Sequence, residues 1–257
     1  MNEPLLQLDC IKKGYYADGS DRQVIRSLSF MLERKAFVCI LGFTGCGKTT
    51  LLRMICGFEQ PNSGTIKISG QFHTSPSKDV MMVFQDANQL FPWKTAVENI
   101  SFVIRSTNPT IGRKAAYVEA VALLNEVGLA DYAGYYPHQL SGGMRQRITV
   151  ARALAAQPRI LLMDEPFSAL DELTRRKIQT LCRRIYEERE LSVLFVTHSI
   201  EEAMTLADQI VIMGQSDGSI VAVLENRCRE DRSKEMRDSM RSTIMDFLQI
   251  DQCEKGE

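Results

Sequence analysis

An α/β fold is predicted by three features of this 257-residue chain. Gly42-Phe43-Thr44-Gly45-Cys46-Gly47-Lys48-Thr49 fits G-x-x-x-x-G-K-[ST], set between a strand-type apolar run, Phe37 to Leu41, and a helix-compatible stretch ending at Gly57. Short apolar runs recur, and each delivers a polar side chain to the loop beyond it: Gln85 after Val80 to Phe84, Asp164 after Ile160 to Met163, His198 after Val193 to Thr197. Stretches with helical apolar spacing lie between these runs, so helices and strands alternate.

Composition sets the outer limits. With 44% hydrophobic and 25% charged residues the chain has globular proportions, enough for one large domain or two small ones. Thirty-one basic against 32 acidic residues give a net charge of -1, so no global field draws it to nucleic acid or an anionic membrane surface. Cys10, Cys39, Cys46, Cys56, Cys182, Cys228 and Cys253 form no C-x-x-C pair, and His73, His138 and His198 do not complete metal-ligand spacing with them; reduced thiols are expected. Met1 to Pro4 lacks a basic leader, and no uncharged apolar run approaches about 18 residues, so the chain is expected in the cytosol and not across a bilayer.

In chain order, residues 5–11 and 28–32 read as strands of a small antiparallel element, with 17–21 as a turn-rich loop. Tyr15 and Tyr16 precede that loop, where a ring either packs on the sheet, the favoured reading, or offers a face to a nucleobase. The glycines of the 42–49 motif let backbone N–H groups turn inward, Lys48 adds a mobile positive charge, Thr49 offers a hydroxyl, and the helix start attracts anions. The stretch reads as a phosphate grip. Pro61 to Gly64 is a turn, 65–68 a strand and 71–79 a loop.

Thr95 and Glu98 form a capping box for a helix from about Ala96, and a second helix runs from Gly112 to Val127; residues 86 to about 157 are mainly helical. Trp93, the only tryptophan, reads as core or interface packing in preference to a cofactor site. Ser141 caps a helix carrying Met144, Ile148, Ala151 and Ala155 on one face. Gly142 and Gly143 are costly there, and nothing in packing calls for them, so close approach of a backbone or an anion is expected. Arg145, Arg147 and Arg152 have two open readings, a solvated face or contact with phosphate or a partner.

Asp164 and Glu165 at a strand end suit a metal-nucleotide site, one carboxylate for the metal's water shell and one to polarise water. Because the chain turns at Pro166, both reach one site. Ile178, Leu181, Cys182 and Ile185 stripe an amphipathic helix, and Ser199 with Glu202 forms a capping box after His198, which is favoured as a site residue. Strands at 209–213 and 219–224 flank a hinge at Ser216 to Gly218. A charged tail from 226 keeps helical spacing at Met236, Met240, Ile244, Phe247 and Leu248 and is expected to dock on the body or a partner.

Five pieces in this order, the grip at 42–49, Gln85, Leu140-Ser141-Gly142-Gly143, Asp164-Glu165 and Thr197-His198, resemble the ATP-binding subunit of ATP-binding cassette (ABC) transporters, over nearly all of 1–225. Met82 to Asp86, Leu90 to Lys94 and Glu98-Asn99 look like the importer branch for nitrate, sulfonate and taurine. The resemblance implies a P-loop NTPase (RecA-like) α/β core with an N-terminal antiparallel β subdomain, an inserted α-helical subdomain at about 86–157, and a tail at 226–257. It makes Gly42, Phe43, Thr44, Gly45, Cys46, Gly47, Lys48, Thr49 and Thr50 the ATP phosphate grip, with Thr49, Gln85 and Asp164 at Mg²⁺. Glu165 becomes the general base and His198 a γ-phosphate contact. Ser141, Gly142 and Gly143 reach ATP held by a second cassette, Asp171 lies across the same interface, and Tyr15 stacks on adenine.

The partners implied are a twin or homologous cassette, transmembrane permease subunits contacted near Gln85 to Trp93, and indirectly a solute-binding protein. That would hold the chain at the inner face of the cell membrane. Met144 stands where the family usually has glutamine, and Thr44 and Thr49 replace common serines; the sugar-importer type of C-terminal regulatory domain is expected to be absent. The rival classes are a soluble cassette ATPase acting on DNA, ribosomes or iron–sulfur assembly, and a non-enzymatic nucleotide-binding module. The first generally brings paired cassettes, a long coiled-coil insertion or a basic surface; the second is disfavoured by Glu165 and His198.

Overall fold

A computed structural model describes residues 3–17, 20–86, 89–168, 170–215, 217–231 and 233–253. β1 (Leu6–Ala17) and β2 (Ser20–Leu32) form an antiparallel hairpin, registered from Leu6 opposite Leu32 to Ala17 opposite Ser20. Paired strand therefore takes up most of the loop expected over 17–21, of which Asp18 and Gly19 lie outside the described residues. Exposed Tyr16, Arg22 and Gln23 explain the misreading: where neither face is buried, the ladder continues with no apolar alternation to announce it.

β3 (Phe37–Gly42), buried at every position, leads into α1 (Lys48–Ile55). β4 (Ser63–Ile68) pairs with β1, and β5 (Gln71–Phe72) pairs with β4, so the segment read as a loop over 71–79 contains a two-residue edge strand. β6 (Val80–Val83) is followed by α2 (Ala96–Thr107), α3 (Arg113–Glu126) and α4 (Gly142–Leu154). Then come β7 (Ile160–Asp164), α5 (Glu172–Glu188), β8 (Ser192–Thr197), α6 (Ile200–Leu206), β9 (Gln209–Met213), β10 (Ile220–Glu225) and α7 (Lys234–Cys253). In the expected hinge before β10, Ser216 lies outside the described residues.

Two compact units are formed, Met1–Pro76 with Glu190–Glu257, and Ser77–Arg189. The first holds an antiparallel sheet ordered β2-β1-β4-β5 and strands ordered β10-β9-β3-β8, with β3 parallel to both neighbours. Its core includes Phe37 and Phe195, whose ring centroids lie 6.4 Å apart, and the fully buried Leu6, Ile11, Ile25 and Leu32 of the hairpin. Each such side chain contributes about 1.5–3 kcal/mol by leaving water. α7 buries Met240 and Ile244 in this unit, while Met236, Phe247 and Leu248 are half-buried.

In the second unit β6 and β7 run parallel with Val80 opposite Ile160, and α2 to α5 bury Ile100, Leu124, Ile148 and Ile178. The capping box at α2 is formed in full: Thr95 N–H donates to Glu98 Oε2 at 2.8 Å and Glu98 N–H to Thr95 Oγ1 at 3.4 Å. Of the expected faces, Met144 on α4 and Leu181 on α5 are only half-buried; the other positions are buried.

Candidate functional site

The first unit holds the grip, His198 and Tyr15. β3 ends at Gly42, and the chain swings into α1 through Gly45 and Gly47, at φ 86° and 103°. That left-handed backbone favours glycine, and a Cβ on Gly45 would meet nothing within 4 Å, so conformation and not crowding calls for it. Gly47 caps α1 without a side-chain hydrogen bond, leaving the N–H groups of the first turn facing outward at the positive end of the helix. Lys48 is 5% exposed, and its ammonium donates to Gly42 O at 2.8 Å and Phe43 O at 2.7 Å. Thr44 and Thr49 are exposed and Thr50 half-buried. A cation and oriented N–H groups at one helix start make an anion site.

Parallel pairing of Leu41 with Thr197 makes Gly42 and His198 leave the sheet side by side. His198 is exposed. Behind it, Thr197 Oγ1 donates to the buried carboxylate of Glu202 at 2.6 Å and accepts Ser199 N–H at 3.0 Å. The capping box expected for Ser199 and Glu202 is thus half made: Glu202 N–H does donate to Ser199 Oγ, at 3.4 Å, but the Glu202 carboxylate serves Thr197.

Tyr15 sits inside β1, opposite Arg22, and is 38% exposed, so the favoured packing reading is only half met. Its hydroxyl donates to Glu59, which also lies 3.4 Å from Lys13 Nζ and 3.4 Å from Arg53 Nη1. Burial and the bond to Glu59 push the Tyr15 phenol up. Burial would raise Glu59 as well, but hydrogen bonds from Tyr15, Lys13 and Arg53 prevail and hold its carboxyl below the usual range.

In the second unit, pairing of Val83 with Met163 brings Gln85 and Asp164-Glu165 to the same end of two parallel strands. Asp164 is 5% exposed and closes β7. Glu165 adopts φ 42°, and Ser168 N–H donates back to Glu165 O at 3.2 Å, so the turn expected at Pro166 is made and spans Glu165 to Ser168. Such a conformation in a residue other than glycine is held by its surroundings and concentrates at functional positions. Gln85 Nε2 lies 3.5 Å from Ser168 Oγ, which donates to Glu165 O at 3.0 Å.

Ser141 caps α4, its hydroxyl accepting Met144 N–H at 3.3 Å. The expectation that packing calls for neither glycine is half wrong. A Cβ on Gly143 would stand 2.3 Å from Thr174 Cγ2 on α5, whereas one on Gly142 would find only Arg145 Nη2, at 4.0 Å. Of the two open readings for the arginines, the solvated face is not met: all three are half-buried, Arg145 donating to Leu140 O at 2.7 Å, Arg147 to Val127 O at 3.1 Å and Arg152 to Gln89 O at 2.6 Å. They brace the unit's own loops. Asp171 caps α5 by accepting Thr174 N–H at 3.0 Å, and hydrogen bonding from the Thr174 side chain together with that N–H holds its carboxyl below the usual range. In the turn before it, Ala169 lies outside the described residues.

Trp93 is 69% exposed, which excludes the core reading. Its ring lies 5.5 Å from Phe91, itself 5.2 Å from the exposed Phe102. Two amides shape this loop, Asn99, met in the sequence only as part of the importer-branch resemblance, and Gln89, which sequence reasoning passed over. Fully buried Asn99 accepts Phe91 N–H at 2.8 Å and donates to Phe91 O and Lys94 O, while Gln89 exchanges hydrogen bonds with both Phe84 N–H and Phe84 O. Their partners are backbone groups, which every residue carries, so the sequence gives no signal of this pairing.

Comparison with known proteins now identifies this arrangement. The ABC transporter family model matches residues 25–168, more than half of the chain. The nitrate import ATP-binding protein NrtD of Synechococcus elongatus is 36% identical over 256 residues, 96% of this chain and 93% of that protein. The taurine import ATP-binding protein TauB of Rhizobium johnstonii is 44% identical over 195 residues, 76% of this chain and 73% of that one. Among solved structures, the dimeric ATP-binding cassette MJ0796 in a post-hydrolysis state with ADP and Pi matches with TM-score 0.77 and 30% identity, covering 86% of this chain and 99% of that one. The chain belongs to the ABC transporter family as an ATP-binding cassette with the α/β fold of P-loop NTPases. It is an ATPase subunit of a transporter.

Proposed function

We propose that this subunit powers import of a small anionic solute of the nitrate, sulfonate or taurine type, residues 1–225 forming the ATPase domain and 86–157 its helical part. The observation that carries the phosphate assignment is the start of α1, opened by two left-handed glycines and capped by no side chain. The N–H groups of Gly45 to Thr50 cradle the triphosphate, and Lys48 leaves its carbonyls for the β- and γ-phosphates. Tyr15, steadied through Glu59, stacks on adenine. His198, beside the grip at the sheet edge, contacts the γ-phosphate.

The residues proposed at Mg²⁺ fit it: Thr49 offers a hydroxyl, Gln85 an amide oxygen and Asp164 a carboxylate, the oxygen donors a hard cation takes alongside phosphate. Among the described residues no group of three or more His, Cys, Asp or Glu offers a competing metal site. When bound, the cation supplies charge neutralisation on the phosphates. Glu165, on its turned backbone, accepts the proton of the attacking water, and Gln85, tied through Ser168 to Glu165, senses whether the site is filled.

Ser141 and Gly142 present hydroxyl and backbone N–H to ATP on a twin or homologous cassette, with Asp171 at the same junction. No helix among the described residues is long and apolar enough to cross a membrane, and the ring group of half-buried Phe91 with exposed Trp93 and Phe102 is where permease subunits dock, holding the cassette at the inner face of the membrane. A solute-binding protein would deliver the anion on the far side. The test is Glu165→Gln, expected to retain ATP, accumulate as a closed dimer and release no phosphate. Rapid phosphate release by that variant removes Glu165 from its role.

A further inference from the structure

α6 has seven residues, too few to be stable alone, and it begins two residues after His198. Both of its ends are held by the segment that follows β10. At the C-terminal end, the amide of Asn226, 6% exposed, donates to Met204 O at 3.0 Å and Ala207 O at 2.7 Å, and lies 3.4 Å from Ala203 O. Met204 O and Ala207 O are carbonyls of the kind a helix end leaves without intrahelical partners, whereas Ala203 O also accepts Ala207 N–H at 3.1 Å. In the first turn, the Glu201 carboxylate receives Arg237 Nη2 at 2.8 Å on one oxygen and Arg241 Nη2 on the other.

Arg237 and Arg241 are one helical turn apart on α7, which is anchored in the same unit by Met240 and Ile244. Just before α7, Arg229 pairs with Asp208, whose second oxygen accepts the N–H of Phe37 at 3.0 Å, at the start of the strand that leads to the grip. Ion pairs as exposed as those to Glu201 contribute little to global stability. Two guanidinium groups on opposite oxygens of one carboxylate instead fix where it points.

We propose that Asn226, Arg229 and the first half of α7 form a clasp in which Arg237 and Arg241, through Glu201 and α6, position the His198 imidazole. None of these residues touches nucleotide; they are positioning residues, and the catalytic part of the inference rests on the γ-phosphate role proposed for His198. In the purified full-length chain, Arg237→Gln/Arg241→Gln is expected to lower saturated turnover about tenfold while leaving ATP affinity within about twofold, since misplacing a group by about 1 Å can cost a hundredfold. Arg237→Lys/Arg241→Lys restores part of the rate.

The readout that a merely structural role would not move is the His198 imidazole NMR resonance, assigned by its loss in His198→Gln and followed without nucleotide. It shifts or broadens in the glutamine pair, while those of His73 and His138 stay in place. An unmoved His198 resonance overturns the clasp whatever the rate does, and an unchanged rate beside an impaired His198→Gln overturns its catalytic part. If His198→Gln turns over normally, the γ-phosphate role fails, and the clasp is decided by the resonance alone.

Discussion

Gly142 and Gly143 are adjacent, identical and opposite in meaning, so alanine at each separates packing from function. At Gly142 a new Cβ enters open space, its nearest neighbour 4.0 Å away on a flexible arginine. Alanine should therefore stabilise the free cassette by about 0.5–1 kcal/mol through helix propensity, a rise in melting temperature of roughly 1–4 °C for a chain of this size. If ATP on a second cassette meets the backbone here, the same methyl obstructs closure at an overpacking cost of about 1–3 kcal/mol, or roughly five- to hundredfold in turnover.

At Gly143 the methyl would sit 2.3 Å from Thr174 Cγ2 and must gain about 1 Å to reach ordinary contact. Thr174 is stiff about χ1 and is held by the Asp171 cap, so the free cassette itself is destabilised, by about 0–2 kcal/mol after the propensity gain. Thr174→Ser, which deletes Cγ2 alone, should restore the melting temperature of Gly143→Ala. The assays are thermal unfolding without nucleotide and phosphate release at saturating ATP. A Gly142→Ala cassette that is both stabilised and fully active refutes the reasoning about close approach.

Lys48→Ala removes charge-assisted hydrogen bonds to phosphate of about 1.5–3 kcal/mol, so ATP affinity should fall roughly ten- to hundredfold in titration calorimetry; unchanged affinity would reject the grip. Alkali should unfold the chain through its buried thiols. Complete burial raises Cys182 from 9.0 to about 12, and burial raises Cys56 to about 11. A raised folded pKa leaves the contribution whole below pH 9.0 and removes it as pH climbs towards the folded value, because unfolding then releases a proton. Urea unfolding should show stability falling by up to about 1.4 kcal/mol per pH unit per thiol above that point. Cys182→Ala should flatten the slope, and an unaltered slope would dismiss the thiol as its source.

What could be read in advance depended on whether a constraint is local in the chain. The grip, the strand-end carboxylates and the caps at Thr95 and Ser141 each confine their residue types within a few positions, so the sequence itself displays them. The demand for glycine at 143 comes from Thr174 on another helix, and the duties of Arg145, Arg147 and Arg152 come from carbonyl oxygens, which every residue carries and none advertises. The tail was legible as an amphipathic helix by its spacing, but nothing in that spacing points to Glu201. A different clue was available. A helix of seven residues cannot be stable by its own hydrogen bonds. If it must also hold a histidine in register with a phosphate grip, some other segment has to grasp it. The uncommitted charged stretch beyond Glu225 was the part of the chain left to do so.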